Sequence, residues 1–203
     1  MTRVATVGGL PVTVDEVDAR ETLLRAGPLA ASLPGAGTSE GRQLRRWLTQ
    51  LLVTERVVAA EAAARGVTAD HAPGEHELLP DAAAGLEIGS VAAAALADPL
   101  ARALFRVVTS HVRVAEQEIA DYHARNPLRF APPCGGPDGW QAPARAAPPL
   151  DAVRPAIAEQ LLGAARRRAF RIWLDVRRSA LVDLAPGFEH PGDPRQPDNS
   201  HRH

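Results

Sequence analysis

The sequence predicts a mainly α-helical fold with a short strand and turn at its start and an extended tail at its end. Three observations predict it. Leu44, Leu48, Leu51, Leu52, Val58 and Ala62 recur largely at spacings of three and four, the period of one helix face. Far along the chain, Val153, Ile157, Leu161, Ala165, Ala169 and Trp173 step by four, with Phe170 and Leu174 alongside. Before residue 15 there is no helical period; β-branched residues and a glycine pair stand there instead.

Taken in order, Val4 to Val14 reads as a short strand, a turn at Gly8-Gly9 and a second extended piece broken by Pro11. Thr13-Val14-Asp15-Glu16 fits a capping box, the hydroxyl accepting from the third amide and the carboxylate reaching back. A helix from Val14 to Arg25 follows, and Gly27-Pro28 stops it. Residues 27–39 form a loop, and Thr38 or Ser39 caps the next helix, Glu40 to Arg65, closed by Gly66. About 26 residues of helix span roughly 39 Å. Residues 67–90 carry only weak patterning. Asp98-Pro99 opens a helix through Leu100, Leu104, Val107 and Val108. Val114 to Arg125 is a further helix, ended by Asn126-Pro127 because the residue before proline avoids the α region. Residues 131–149 are linker-like, the last helix runs from Leu150 to Leu184, and prolines in the tail 185–203 exclude helix and central strand.

Composition removes several function classes. The 203 residues are 45% apolar and 23% charged, a globular balance with room for an apolar core. A net charge of -1 gives no overall attraction to nucleic acid or an anionic membrane. All 23 basic residues are arginine, and with the high Ala, Gly and Pro content this hints at a GC-rich bacterial genome. One cysteine, Cys134, excludes an internal disulfide framework. No run of apolar residues is long enough for a transmembrane helix, and no apolar stretch follows Arg3 as a secretory signal requires, so a cytoplasmic protein is expected.

Few constellations carry chemistry. In the tail, His190, Asp193, Asp198, His201 and His203 offer imidazole and carboxylate ligands to a divalent cation, the one cofactor the sequence suggests. The competing readings are a solvated extension, and docking of Phe188 and the tail on the body or a partner. His71, Glu75, His76 and Glu77 have the residue types of a metal site, but the histidines are five apart with Pro73-Gly74 between them. His123 adjoins Asp121 and Tyr122, yet neighbours on a helix do not face one another. His111 reads as a helix-end histidine. Cys134 lies among prolines and glycines with no base nominated for it. The arginines of 166–178 share their helix with Glu159, Asp175 and Asp183 and read as a solvated face.

Three separated segments, in order, resemble the SurA/PrsA family of folding factors. Val4 through Val17 is similar to the family's opening strand, glycine turn and acidic helix start. Leu44 to Val67, with Glu55 and the closing Ala63-Ala64-Arg65-Gly66-Val67, resembles its second helix. Val114 to Phe130 is similar to its acidic helix ending in Tyr122, Asn126 and Phe130, and Val153 to Val182 looks like the terminal helix that folds back on the amino-terminal module. The resemblance implies a long-helix chaperone scaffold in which 1–130 and 150–184 make one helical domain. It also implies a parvulin-type peptidyl-prolyl isomerase domain before the last helix. Residues 131–149 are too few to fold as one without metals or disulfides.

The expectation is therefore a chaperone-like protein that binds a polypeptide client or partner protein and lacks the isomerase chemistry, with neither nucleic acid nor membrane as partner and a homodimer through the long helices as one arrangement. An apolar groove between the two long helices is expected, with Trp47, Leu51, Tyr122, Phe130, Phe170 and Trp173 the residues to inspect; no catalytic residue is nominated. The rival reading is an enzyme or accessory protein of a specialised, for example polyketide-type, biosynthetic pathway that uses the His/Asp tail, with or without a metal. A structural adaptor is a third.

Overall fold

A computed structural model describes residues 2–131 and 146–191, together with the backbone of 134–135 and 141–142. The chain opens on a hairpin of β1 (Arg3–Val7) and β2 (Leu10–Thr13). Gly8 and Gly9, at φ 56° and 82°, supply the two left-handed residues of a tight hairpin turn. Pro11 is tolerated because β2 is an edge strand of the sheet β2-β1-β5. Val4, Ala5, Val7 and Val12 are buried.

The capping box forms as the sequence predicts. The Thr13 amide donates to Glu16 Oε2 at 2.8 Å and the Glu16 amide to Thr13 Oγ1 at 3.3 Å, opening α1 (Val14–Arg25). After a single 3₁₀ turn at Ala30–Ser32, Thr38 caps α2 (Ser39–Arg65) by accepting from the Gly41 amide at 3.0 Å, and Gly66 ends it at φ 63°.

Residues 67–90, weakly patterned in the sequence, hold α3 (Glu75–Leu78) and α4 (Ala82–Ile88), and α5 (Ser90–Ala95) follows at once. All three are short and α4 and α5 are alanine-rich, so packing rather than period makes them helical: Leu78, Ala84, Ile88, Val91, Ala92 and Ala95 are all buried. Asp81 Oδ1 caps α4 by accepting from the Ala84 amide at 2.8 Å. The Asp98-Pro99 start opens α6 (Pro99–Val108) as predicted, and α7 (Glu116–Arg125) ends at Asn126. Within the expected linker, β3 (Cys134–Gly135) and β4 (Gln141–Ala142) form a small antiparallel pair.

The last helix, α8 (Leu150–Leu181), has 32 residues and ends three residues before the predicted Leu184. Val182–Leu184 is β5, antiparallel to β1 in the register Ala5↔Leu184 and Val7↔Val182. The open edge of β1 captures it: the Gly8 amide donates to Leu181 O at 2.8 Å and the Ala185 amide to Val4 O at 2.9 Å. One end of the chain thereby clasps the other.

Two apolar clusters result. The main one joins β1, β2, α1 to α6 and the second half of α8, with Leu48, Val53, Val57, Leu104, Phe105, Phe170 and Leu174 at its centre. The smaller one holds Ile119 of α7 with Val153 and Ile157 of α8, edged by Tyr122, Phe130 and Leu161. Helix α8 runs through both.

Candidate functional site

The seam between α2 and α8 is built from polar pairs. Arg178 donates to the Gln50 carbonyl and side-chain oxygen and to Thr54 Oγ1. Arg177 Nε donates to Glu61 Oε1 at 2.6 Å, and Arg65 pairs with the same carboxylate while its guanidinium lies 5.5 Å from the Trp173 ring. Glu61 is only 4% exposed, so two arginines balance a buried charge.

The six residues expected to line one apolar groove fall in two places. Phe170 is buried between Phe105, at 4.9 Å, and Trp173, at 5.4 Å. Leu51 is also buried, and Trp47 packs on the main cluster while its indole N–H donates to Ser90 Oγ at 3.2 Å. Tyr122 and Phe130 belong to the smaller cluster with ring centroids 6.3 Å apart, and Tyr122 OH accepts from Gln160 at 2.9 Å.

Of the tail ligands, Asp193, Asp198, His201 and His203 lie outside the described residues. His190 lines a cleft between α2 and α8, and no group of three metal-type side chains occurs among the described residues. Phe188 does dock on the body: it packs on the main cluster and its carbonyl accepts from Gln50 Nε2 at 2.7 Å. His71 and His76 are both exposed, His76 within α3 rather than in a loop. His123 Nε2 sits 2.9 Å from the Pro148 carbonyl and fastens the end of α7 to the approach of α8. His111 is exposed at the end of the turn after α6.

Two clefts line successive stretches of α8. The first, about 540 Å³, lies where the two apolar clusters part, between α3–α4, α8 and Arg129-Phe130. Its walls are small: Ala83, Ala84, Ala156, Gly163 and Ala164. Glu77, Asp81 and Glu159 bring carboxylates to it, with Arg129 and His76. The second, about 350 Å³, lies between α2, the α4–α5 joint and α8, with Ile88, Val91 and Leu174 as apolar lining and Arg171, Arg178, Asp175, Ser90 and His190 as polar lining. Glu87 ties the two together. Its carboxylate accepts from Arg167 of the first cleft at 2.8 Å and its carbonyl from Arg171 of the second at 3.1 Å.

Burial dominates the electrostatics of Arg178 and pushes its guanidinium below the ordinary arginine value, with Asp175 opposing. Elsewhere, burial works to raise Glu16 and Glu21, yet partners win and hold both carboxyls below the ordinary range. For Glu16 these are the Thr13 amide and Arg56, for Glu21 Arg25 and Arg45.

Sequence reasoning named Phe130, His76 and Glu77, which line the first cleft, and His190, which lines the second, but assembled neither cleft. The signal for the first was faint: Ala156, Gln160, Gly163 and Ala164 put small or neutral residues on one face of a helix otherwise rich in arginine and leucine. The second is assembled from α2, α4–α5 and α8, which no local pattern links.

Fold and clefts together define a helical scaffold, clasped by a strand and grooved along its terminal helix. A family model described as a family of unknown function (DUF7158) matches residues 3–40, from β1 through the loop into the start of α2. No curated protein and no solved structure matches the chain. No helix among the described residues is long and apolar enough to cross a membrane.

Proposed function

We infer that this chain is a polypeptide-binding scaffold that holds an extended segment of a client or partner protein in the first cleft. One observation carries the reading: the cleft opens where the two apolar clusters of α8 separate, and Ala83, Ala84, Ala156, Gly163 and Ala164 leave room along its walls, with Phe130 at one edge. Small side chains let a foreign backbone approach closely, and an aromatic edge gives an apolar side chain something to cover. With Glu87 and Arg167 paired to each other, the carboxylates of Glu77, Asp81 and Glu159 against Arg129 favour segments that mix apolar and basic residues. The sequence resemblance to SurA/PrsA folding factors supports the same reading.

The test is aggregation of an unfolded client, followed by light scattering with increasing full-length protein. Scattering falls in proportion to the protein added, and Ala156→Arg, which plants a bulky cation in the cleft from an exposed position, removes most of the effect without lowering the melting temperature. No suppression, together with no detectable binding of client peptides, rejects the reading.

A further inference from the structure

The second cleft differs from the first in its charge and in how that charge is held. Arg178 is fixed by three oxygens, all of them neutral: two of Gln50 and one of Thr54. Among the described residues it has no carboxylate in ion-pair range; Asp175 acts on it only from a distance. A guanidinium carries five N–H groups, and these three bonds leave donors over. Arg171, on the same face of α8, is anchored by one backbone carbonyl, that of Glu87, and also lines the cleft. Among the described residues, two guanidiniums thus stand against one carboxylate in the lining, that of Asp175, beside the Ser90 hydroxyl and with Ile88 and Leu174 as apolar lining. A cation desolvated among neutral dipoles gains most from a matching anion, and a guanidinium fork matches a carboxylate with two parallel bonds.

We propose that this cleft binds a carboxylate attached to a small apolar body, with Arg178 and Arg171 taking the anion, and Ile88, Val91 and Leu174 receiving the apolar part. The volume of about 350 Å³ suits a group the size of one amino-acid residue with its terminal carboxylate, or a free short-chain acid. The site is separate from the polypeptide cleft, so either assignment can fail without the other.

Isothermal titration of the full-length protein with N-acetyl-leucine and with its uncharged amide tests the assignment. The acid binds at least about tenfold more tightly than the amide, because the amide forfeits the charge-assisted bonds. Arg171→Gln weakens the acid by about tenfold with the melting temperature held, since that side chain is exposed and, among the described residues, bonds one carbonyl. Arg178→Gln abolishes acid binding; because it also breaks the α2–α8 seam, Arg171→Gln is the deciding variant. A leucine-ended N-acetyl pentapeptide with a free carboxylate separates the sources. Tighter binding than the single residue assigns a polypeptide chain end, weaker binding a small free acid, and both sustain the carboxylate. Equal binding of acid and amide, an unaltered Arg171→Gln variant, or inorganic phosphate binding as tightly as the acid overturns the proposal.

Discussion

The two halves of α8 share one helix and are held by very different amounts of structure. Its second half buries Phe170 and Leu174 in the main cluster, ties Arg167, Arg177 and Arg178 to groups on other elements, and runs straight into β5. Its first half has Val153 and Ile157 against Ile119, a proline at 155 that removes one helical hydrogen bond, and surface pairs of Arg154 with Glu116 and Asp151. Surface pairs of that kind are screened by water and add little. The first half with α7 is therefore a weakly held unit on a firmly held base, and the polypeptide cleft lies at the boundary. Continuity of a helix does not make its stability uniform.

The contrast between the halves is probed most severely at Phe170→Ala. Emptying a fully buried aromatic site should cost about 3–5 kcal/mol, read as a global shift in the denaturant midpoint. Ile157→Ala, equally buried, should cost about 2–4 kcal/mol but locally. Amide exchange should quicken in 116–125 and leave 40–65 untouched; quickening throughout would show that the clusters form one cooperative unit. Glu61→Gln tests the base from its polar side and should lose about 1–3 kcal/mol, because Arg65 and Arg177 keep half-exposed positions and can rehydrate. Thr13→Ala removes one half of the capping box and should cost about 1 kcal/mol at the chain's start.

The smallest effect is acid sensitivity at the α1–α2 contact. Glu16 and Glu21 titrate lower in the folded chain than their ordinary value of 4.5, so their contribution is present above that value and disappears as pH falls through the lower folded values. Glu21→Gln should flatten the pH dependence of the melting temperature on the acid side of 4.5. A slope equal to the parent's would show that Glu21 contributes nothing to the acid response.

What the sequence reveals and what it hides divides by range of interaction. The Gly8-Gly9 hairpin, the Thr13–Glu16 box, the Thr38 and Asp98 caps and the Gly66 stop are all fixed by residues within four positions of each other, and each stands where local chemistry puts it. By contrast, Val182–Leu184 continues the apolar pattern of α8, and only the distant edge of β1 makes it a strand. Helices α4 and α5 are hidden for a similar reason: Ala-rich runs have no contrast between faces, and Ile88 and Val91 matter only once α2 and α8 are beside them. Of the aromatic residues picked out by size for a groove, Phe170 went to the interior, while Trp47, Trp173, Tyr122 and Phe130 are partly buried at the edges of the two clusters. The first cleft is shaped by small side chains, which leave little mark on a sequence.

Whether a polypeptide is held at the boundary between the two halves of α8 can be read from amide hydrogen exchange of the full-length chain with and without an unfolded client. Added protection is expected in 76–84 and 156–167 alone, on the two walls of the first cleft. Protection centred on the outer faces of α1 and α6, or none at a saturating client concentration, would contradict binding at that boundary.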